Sequence, residues 1–473
     1  MSRTYDVIVV GAGLAGCTAA ITAARAGRSV ALIERGRRPG SKNVIGGILY
    51  TPVLDELLPD FSKTAPVERH IISRTFGFLT ETTQASFELR SEEFARGPYY
   101  NKSYTVKRTS FDPWLVEQAK KDGAVLIPAT VVESLLHDRD NPNAPVTGVR
   151  CGRKGGELYG SVVILAEGAN PLLAEAEDLR PRTRPEQTML GVKELLHLDR
   201  AAIEDRFSVE GGSGRAYEFF GDPVLGGFGS GFIYTNTESV SVGIAASAAH
   251  LAKLKVSPHE LLDRFKAHPC IRPLLRGAAP VEYCAHMLPI GTMRDMPQLV
   301  KDGLILAGDA ARLANMSHYK ELTNLVTASG AAAGETAVEA LAKGDLSAEG
   351  LKGYAHRLKS GFVFSDIEKY EGVAELIERS PDILKRYPPL MVEAFIEHFR
   401  ISKQPKRVVE REILRRWNKS VKPVELRRHA LAVVEACGIS LAPLARKMLL
   451  PALKPDWGWL ETLKAKLSRR REH

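Results

Sequence analysis

Tyr5–Glu34 reads YDVIVVGAGLAGCTAAITAARAGRSVALIE, and nearly every residue in it has an architectural meaning. Tyr5–Val10 is short, apolar and β-branched, the pattern of a buried parallel strand. Gly11, Gly13 and Gly16 follow at once in G-x-G-x-x-G spacing, and Cys17–Ala26 then predicts a helix of small residues closed by Gly27. Ser29–Ile33 predicts a second strand, ending in Glu34. In such a βαβ unit the first glycine permits a tight turn, the second lets backbone approach a pyrophosphate, and the third lets helix and strand pack closely. Unpaired N–H groups and the dipole at the helix start then favour phosphate. An acid at the end of the second strand accepts hydrogen bonds from a ribose 2′-OH. Glu34 would repel a 2′-phosphate, so the unit suits FAD or NAD and not NADP.

Working outward, Leu304–Ala311 (LILAGDAA) repeats the theme some 300 residues later: an apolar strand running into Gly308-Asp309. A dehydrogenase using NAD alone does not need this second glycine–acid signal. A flavin does, because the Asp309 carboxylate can reach the ribityl hydroxyls, so FAD is the expected cofactor. Between the two signals, Ser110-Phe111-Asp112-Pro113 predicts a helix over 113–122 with Asp112 as its capping acid. Strands are expected at 105–107, 124–128, 130–136 and 161–166. Ser239–Ile244 (SVSVGI) alternates as an antiparallel strand with one wet face does. An alanine-rich helix is expected from Asn324 to Lys343. Beyond Leu351 the chain reads as helical, with prolines, among them Pro388 and Pro389, limiting helix length.

The expected fold class is α/β: an FAD-binding Rossmann-like domain of the glutathione-reductase type, an inserted antiparallel β-sheet substrate domain, and a helical C-terminal region. The FAD domain is assigned to 1–75, 105–190 and 285–345, the substrate domain to 76–104 and 191–284, and the basic helical region to 346–473.

The 473 residues include 44% hydrophobic and 26% charged side chains, which excludes wholesale disorder. No stretch free of charge reaches the length of a spanning helix, and no secretory leader is expected because the N-terminus runs straight into a strand. Five scattered cysteines, Cys17, Cys151, Cys270, Cys284 and Cys437, fit neither a disulfide framework, a zinc site nor an iron–sulfur cluster, and they suit a reducing compartment. From Arg400 onward 19 Lys and Arg stand against 7 Asp and Glu, a net +12, whereas the preceding residues carry −3. That end of the chain is therefore expected to meet any anionic surface. His429–Ala445, apolar between Arg427-Arg428 and Arg446-Lys447, suits an interfacial attachment to anionic lipid. No nucleic-acid motif accompanies the charge, and no nucleic-acid partner is expected.

Several stretches resemble the electron-transfer-flavoprotein:quinone oxidoreductase family, and most closely its shorter, cluster-free, nitrogen-fixation-associated branch. They are Gly40–Tyr50 (GSKNVIGGILY), Val106–Leu115 (VKRTSFDPWL), Val162–Leu173 (VVILAEGANPLL), Gly191–Glu194 (GVKE) and the Leu304–Ala311 block. The wider superfamily includes geranylgeranyl reductases and aromatic hydroxylases. The resemblance implies that Gly11, Gly13, Gly16 and Glu34 hold the ADP half and that Arg108 approaches the cofactor from a strand. Gly46 and Gly47 would lie beside the flavin ring, and Gly308 and Asp309 at the ribityl chain. Arg35, Ser41, Asn43, Val132, Glu167 and Gly168 are counted in the same cofactor site. Two positions depart from the family pattern: Glu167-Gly168 replaces Asp-Gly, and Leu322 stands where a glycine is usual beside the flavin. His286 and His318 read as structural histidines, and no metal site is expected.

The implied activity is electron transfer from an electron-transfer flavoprotein to a membrane quinone, as a subunit of a complex that includes a small ferredoxin-like iron–sulfur subunit; bifurcation is one form such a complex takes. The implied location is cytoplasmic, peripheral to the inner face of the membrane. The rival readings are a prenyl-chain reductase or flavin monooxygenase of the same fold, and a non-catalytic flavin-binding scaffold using its basic tail.

Overall fold

A computed structural model describes residues 3–41, 47–138, 141, 144–152, 155–317, 319–380 and 383–436. Two sheets organise it. In the first, the strands Leu304–Leu306, Glu157–Leu165, Arg3–Val10, Val30–Ile33 and Val125–Ile127 run parallel in that order. Val7–Val9 and Val162–Leu165 are fully buried, as expected where helices cover both faces. A hairpin of Val132–His137 and Val146–Cys151 extends this sheet along Glu157–Leu165.

The second sheet runs Ala279–Pro289, Thr188–His197, Ser239–Ser247, Gly229–Thr235, Ser213–Gly221, Val67–Leu79, Ser103–Val106, Gly47–Tyr50, with Gln84–Arg90 paired to Val67–Leu79. It is antiparallel except where Ser213–Gly221 lies parallel to Val67–Leu79. The expected domain boundaries at 75/76 and 284/285 therefore fall inside the strands Val67–Leu79 and Ala279–Pro289. Gly47–Tyr50 and Ser103–Val106 also belong to this sheet, and their hydrogen-bond partners cannot be read locally.

Two helices cross at very short range above the first sheet. A Cβ added at Gly330 would lie 2.1 Å from the Ala15 carbonyl oxygen, and one at Gly334 would lie 2.7 Å from that of Ala19. The Thr18 hydroxyl donates across the crossing to the Thr327 carbonyl (3.1 Å). This contact aligns the start of Leu14–Arg25 with the start of Leu322–Lys343, and both face the same space.

Two helix expectations are corrected. The helix containing Pro113 begins at Arg108, not at Pro113. Asp112 is not its cap: it is buried and paired with Arg108, which fixes an extra turn ahead of the proline. Pro388 and Pro389 lie within the helix Ile383–Phe399 and do not end it. The Pro388 ring is buried and reaches the position a Cβ on Gly221 would take, to within 3.8 Å, so packing offsets the missing donors. The remaining C-terminal helices among the described residues are Ala348–Leu351, Gly353–Ser360, Val363–Arg379, Lys406–Ser420 and Pro423–Ala436. Of the apolar stretch His429–Ala445, residues 429–436 lie in the last of these and the rest fall outside the described residues.

Candidate FAD site

The two sheets and the two crossing helices enclose a cavity of about 490 Å3. On its first-sheet side lies the glycine turn. Gly11 has φ +104°, and a Cβ there would sit 2.3 Å from the Ala166 carbonyl oxygen. A Cβ on Gly16 would sit 1.8 Å from the Gly11 oxygen, so Gly16 serves packing and does not line the cavity. Gly13 is open to the cavity: the nearest atom to an added Cβ is Nη2 of Arg108, at 3.8 Å. No side chain caps the helix that starts at Leu14, which leaves its first backbone donors for a ligand. A bare glycine facing the cavity and uncapped N–H groups fit a pyrophosphate.

Glu34 ends its strand at the cavity wall. Its Oε2 accepts from the Ala12 N–H (3.1 Å) and its Oε1 from the Gly36 N–H (2.7 Å), so the same carboxylate also holds the glycine turn. Arg35 and Val132 line the cavity beside it. Ser41 does not; its hydroxyl donates to the Arg38 carbonyl (2.6 Å). Asn43 and Gly46 lie outside the described residues, while Gly47 lines the cavity.

Arg108, expected on a strand, stands in the first turn of its helix, with Nη2 2.9 Å from Asp112 Oδ2. Burial works against its charge, but Asp112, and at longer range Asp309, hold its pKa above the usual value. Glu167 accepts from the backbone N–H groups of Leu173 (2.9 Å) and Ala174 (3.1 Å). The longer acid thus reaches the following helix while Gly168 faces the cavity. Burial raises the Glu167 carboxyl pKa.

Gly308 and Asp309 sit at the end of Leu304–Leu306 and line the cavity opposite Glu34's strand. The buried Arg180 clamps this turn, donating to the carbonyl oxygens of Ala310 (2.7 Å) and Asp309 (3.2 Å). Burial raises the Asp309 pKa, opposed by Arg108 and Arg180. Replacing Asp309 by Ala removes an acceptor for ligand hydroxyls. It should weaken FAD retention by about 1.5–3 kcal/mol, the worth of a charge-assisted hydrogen bond. Flavin fluorescence released on dilution measures this; unchanged retention would place the ribityl contacts elsewhere.

The second-sheet side of the cavity carries groups to which the sequence reading gave no role. Phe232 and Tyr234 stack at 4.9 Å, and Lys193 faces the cavity from the adjacent part of the sheet. Lys193 lies in the GVKE stretch, but a lysine at an inward strand position shows its purpose only when the cavity is seen. Burial pushes it down to about 7. His286, set aside as structural, lines the cavity too; burial first, then Arg108 and Lys193, push it down to about 4. His318 lies outside the described residues.

The turn that carries the Leu322 departure is built around Lys320. Lys320 takes a left-handed conformation (φ +54°), the helix starts at Leu322, and the Leu322 side chain lines the cavity beside Tyr319 and Lys320. Lys320 is pinned by an ion pair with buried Glu218 and by a bond to the Ser230 hydroxyl (2.7 Å). Among the described residues no group of His, Cys, Asp and Glu could hold a metal ion.

The glycine turn and the acids at 34 and 309 line one cavity, and the profile of the FAD dependent oxidoreductase family matches residues 6–174. Protein FixC of Azorhizobium caulinodans is 39% identical over 417 residues, covering 88% of this chain and 94% of that protein. A protein of Escherichia coli K12 named "probable electron transfer flavoprotein-quinone oxidoreductase YdiS" is 38% identical over 411 residues, covering 87% and 94%. The chain belongs to this FixC/YdiS family of FAD-dependent oxidoreductases. Among solved structures, a geranylgeranyl bacteriochlorophyll reductase-like protein from Thermoplasma acidophilum superposes with a TM-score of 0.67 at 21% identity, covering 89% of this chain and all of that one. That likeness concerns the fold.

Proposed function

We propose that this flavoprotein takes electrons from an electron-transfer flavoprotein and passes them to a quinone at a membrane surface, as one subunit of a complex with a small ferredoxin-like iron–sulfur partner. The observation that carries the reading is the kinship with YdiS over 87% of the chain. The cavity agrees with it, since its far wall is a stacked aromatic pair with basic groups. FAD supplies both one- and two-electron chemistry, so the protein need only position and tune it. In this reading Gly11, Gly13 and Glu34 hold the ADP half, Asp309 the ribityl chain, and Gly46 and Gly47 flank the ring. The first sheet forms most of the cofactor domain, the second the quinone-facing domain.

No helix among the described residues is long and apolar enough to cross a membrane. Attachment in the interface is supported by the end of the helix Ile383–Phe399 and the residues just after it, where Phe399 and Ile401 are 74% and 88% exposed beside Arg400. Replacing Arg427, Arg428, Arg446 and Lys447 with Gln should reduce cosedimentation with anionic liposomes and leave binding to neutral ones little changed. Equal sedimentation of variant and wild type would direct the basic end to a protein partner.

The function is tested by mixing the FAD-loaded protein with a reduced electron-transfer flavoprotein and a soluble quinone under argon. Quinol formation is expected. Oxygen consumption driven by NAD(P)H, or saturation of a prenyl chain, would replace this reading with a monooxygenase or a prenyl reductase.

A further inference from the structure

The second-sheet wall of the cavity holds a charge that the fold itself does not use. Lys193 lies midway along the strand Thr188–His197, is only 9% exposed, and its ammonium has no hydrogen-bond or ion-pair partner among the described residues. Its neighbours on the sheet do not compensate. The acid next in sequence, Glu194, is taken by Lys266 (2.7 Å), and Glu218 is taken by Lys320. The groups that do face it are Cys284 and His286 from Ala279–Pro289 and Arg108 from its helix. Two of these three are basic.

The stem is held in place. A Cβ on Gly243 would lie 2.6 Å from Lys193 Cβ and 2.3 Å from Phe232 Cζ, so this bare position lets the aromatic ring and the lysine stem lie side by side. The ammonium ends about 4.0 Å from where a Cβ on Gly47 would be. An apolar residue of similar length would fill the same space without the desolvation that an unpaired buried charge costs. A fixed, unpaired cation aimed into a cavity is complementary to a ligand that arrives with, or acquires, negative charge there.

We propose that Lys193 is a positioning residue for negative charge on the ring system of the bound FAD, favouring the two-electron-reduced anion over the oxidised neutral cofactor. This rests on the placement of the ring beside Gly47 given above, and not on the identity of donor or acceptor. The balance is simple: oxidised FAD takes up two electrons and one proton to give the anion. The electrons come from the donor flavoprotein in the proposed reaction, and from a reduced dye in the test. Both readouts are taken at about pH 6, below the value of about 7 to which burial pushes Lys193, so that it is charged in each redox state and contributes only its charge.

The test compares FAD-loaded wild type with Lys193→Met and Lys193→Arg. Two readouts are used: the two-electron midpoint potential, titrated against an indicator dye, and the dissociation constant for sulfite, an anion that adds to the oxidised ring. In Lys193→Met the preference for reduced over oxidised FAD should fall at least tenfold, which lowers the potential by about 30 mV. Sulfite affinity should fall at least tenfold, and Lys193→Arg should recover most of both. If Lys193→Met does not yield soluble protein, Lys193→Gln is read in the same way. An unchanged potential and sulfite affinity in a variant that retains FAD overturns the proposal. So does a rise in quinone KM alone, which would assign the ammonium to the substrate. Wild type that purifies colourless would sink the cofactor assignment, and the proposal with it; loss of quinone reduction with both shifts intact would sink only the proposed function.

Discussion

Gly11→Ala should purify without flavin and melt well below the wild type. The φ of +104° is unfavourable for any residue with a Cβ, and that Cβ would stand 2.3 Å from the Ala166 carbonyl oxygen. Ala166 is held in turn by its own N–H bond to the Val10 carbonyl (2.9 Å), so the backbone has little room to retreat. Strain and overpacking together should cost about 2–6 kcal/mol, a large share of the stability of an ordinary domain. The informative comparison is Gly13→Ala. There an added methyl meets nothing nearer than 3.8 Å, so the melting temperature of the flavin-free protein should barely move. FAD affinity alone should suffer, because the methyl projects to where a pyrophosphate would lie. Thermal melts and flavin stoichiometry of the two variants separate the roles. A Gly11→Ala protein that melts with the wild type would show that the turn tolerates a side chain.

Lys320→Met should destabilise the protein by about 3–5 kcal/mol at neutral pH, because it strands the Glu218 carboxylate. Glu218 is 6% exposed and would keep only the Ser230 hydroxyl (2.6 Å). Urea denaturation of wild type and variant at neutral pH measures the loss. A variant as stable as the wild type would mean that water reaches Glu218 and replaces the lysine.

Much of the cofactor side was legible in the sequence because its signals are local. The glycine spacing, Glu34 and the Gly308-Asp309 strand end each lie within one turn or one βαβ unit, and the cavity brings most of them together. The second sheet was less legible for a physical reason. Val67–Leu79 takes its parallel partner from Ser213–Gly221, so alternation along either strand says nothing about where the sheet begins. Pro113 misled because Asp-Pro is also the mark of a helix start; the pairing of Arg108 with buried Asp112 overrides it. Arg180 shows no role in the sequence because it clamps Ala310, 130 residues away, and Lys193 and Phe232 show none because the cavity they face is built from elements distant in the chain. The Leu322 departure was visible, but the left-handed Lys320 in the same turn was not.

The crossing of the two helices also bears on when during synthesis the site can exist. Its contacts join Ala15 and Ala19 to Gly330 and Gly334, residues separated by most of the chain. Alanine and glycine have no side-chain rotamers to freeze, so the floor of the cavity is formed at almost no side-chain entropy cost once the helices meet. Before they meet, nothing local can substitute, because the glycine turn and Asp309 belong to opposite ends of a long loop closure. A nascent chain that has emerged only through residue 174, the limit of the matched family profile, therefore holds the first βαβ unit without the rest of its nest. Cofactor capture is thus expected only after the Leu322–Lys343 helix has emerged from the ribosome and closed against Leu14–Arg25.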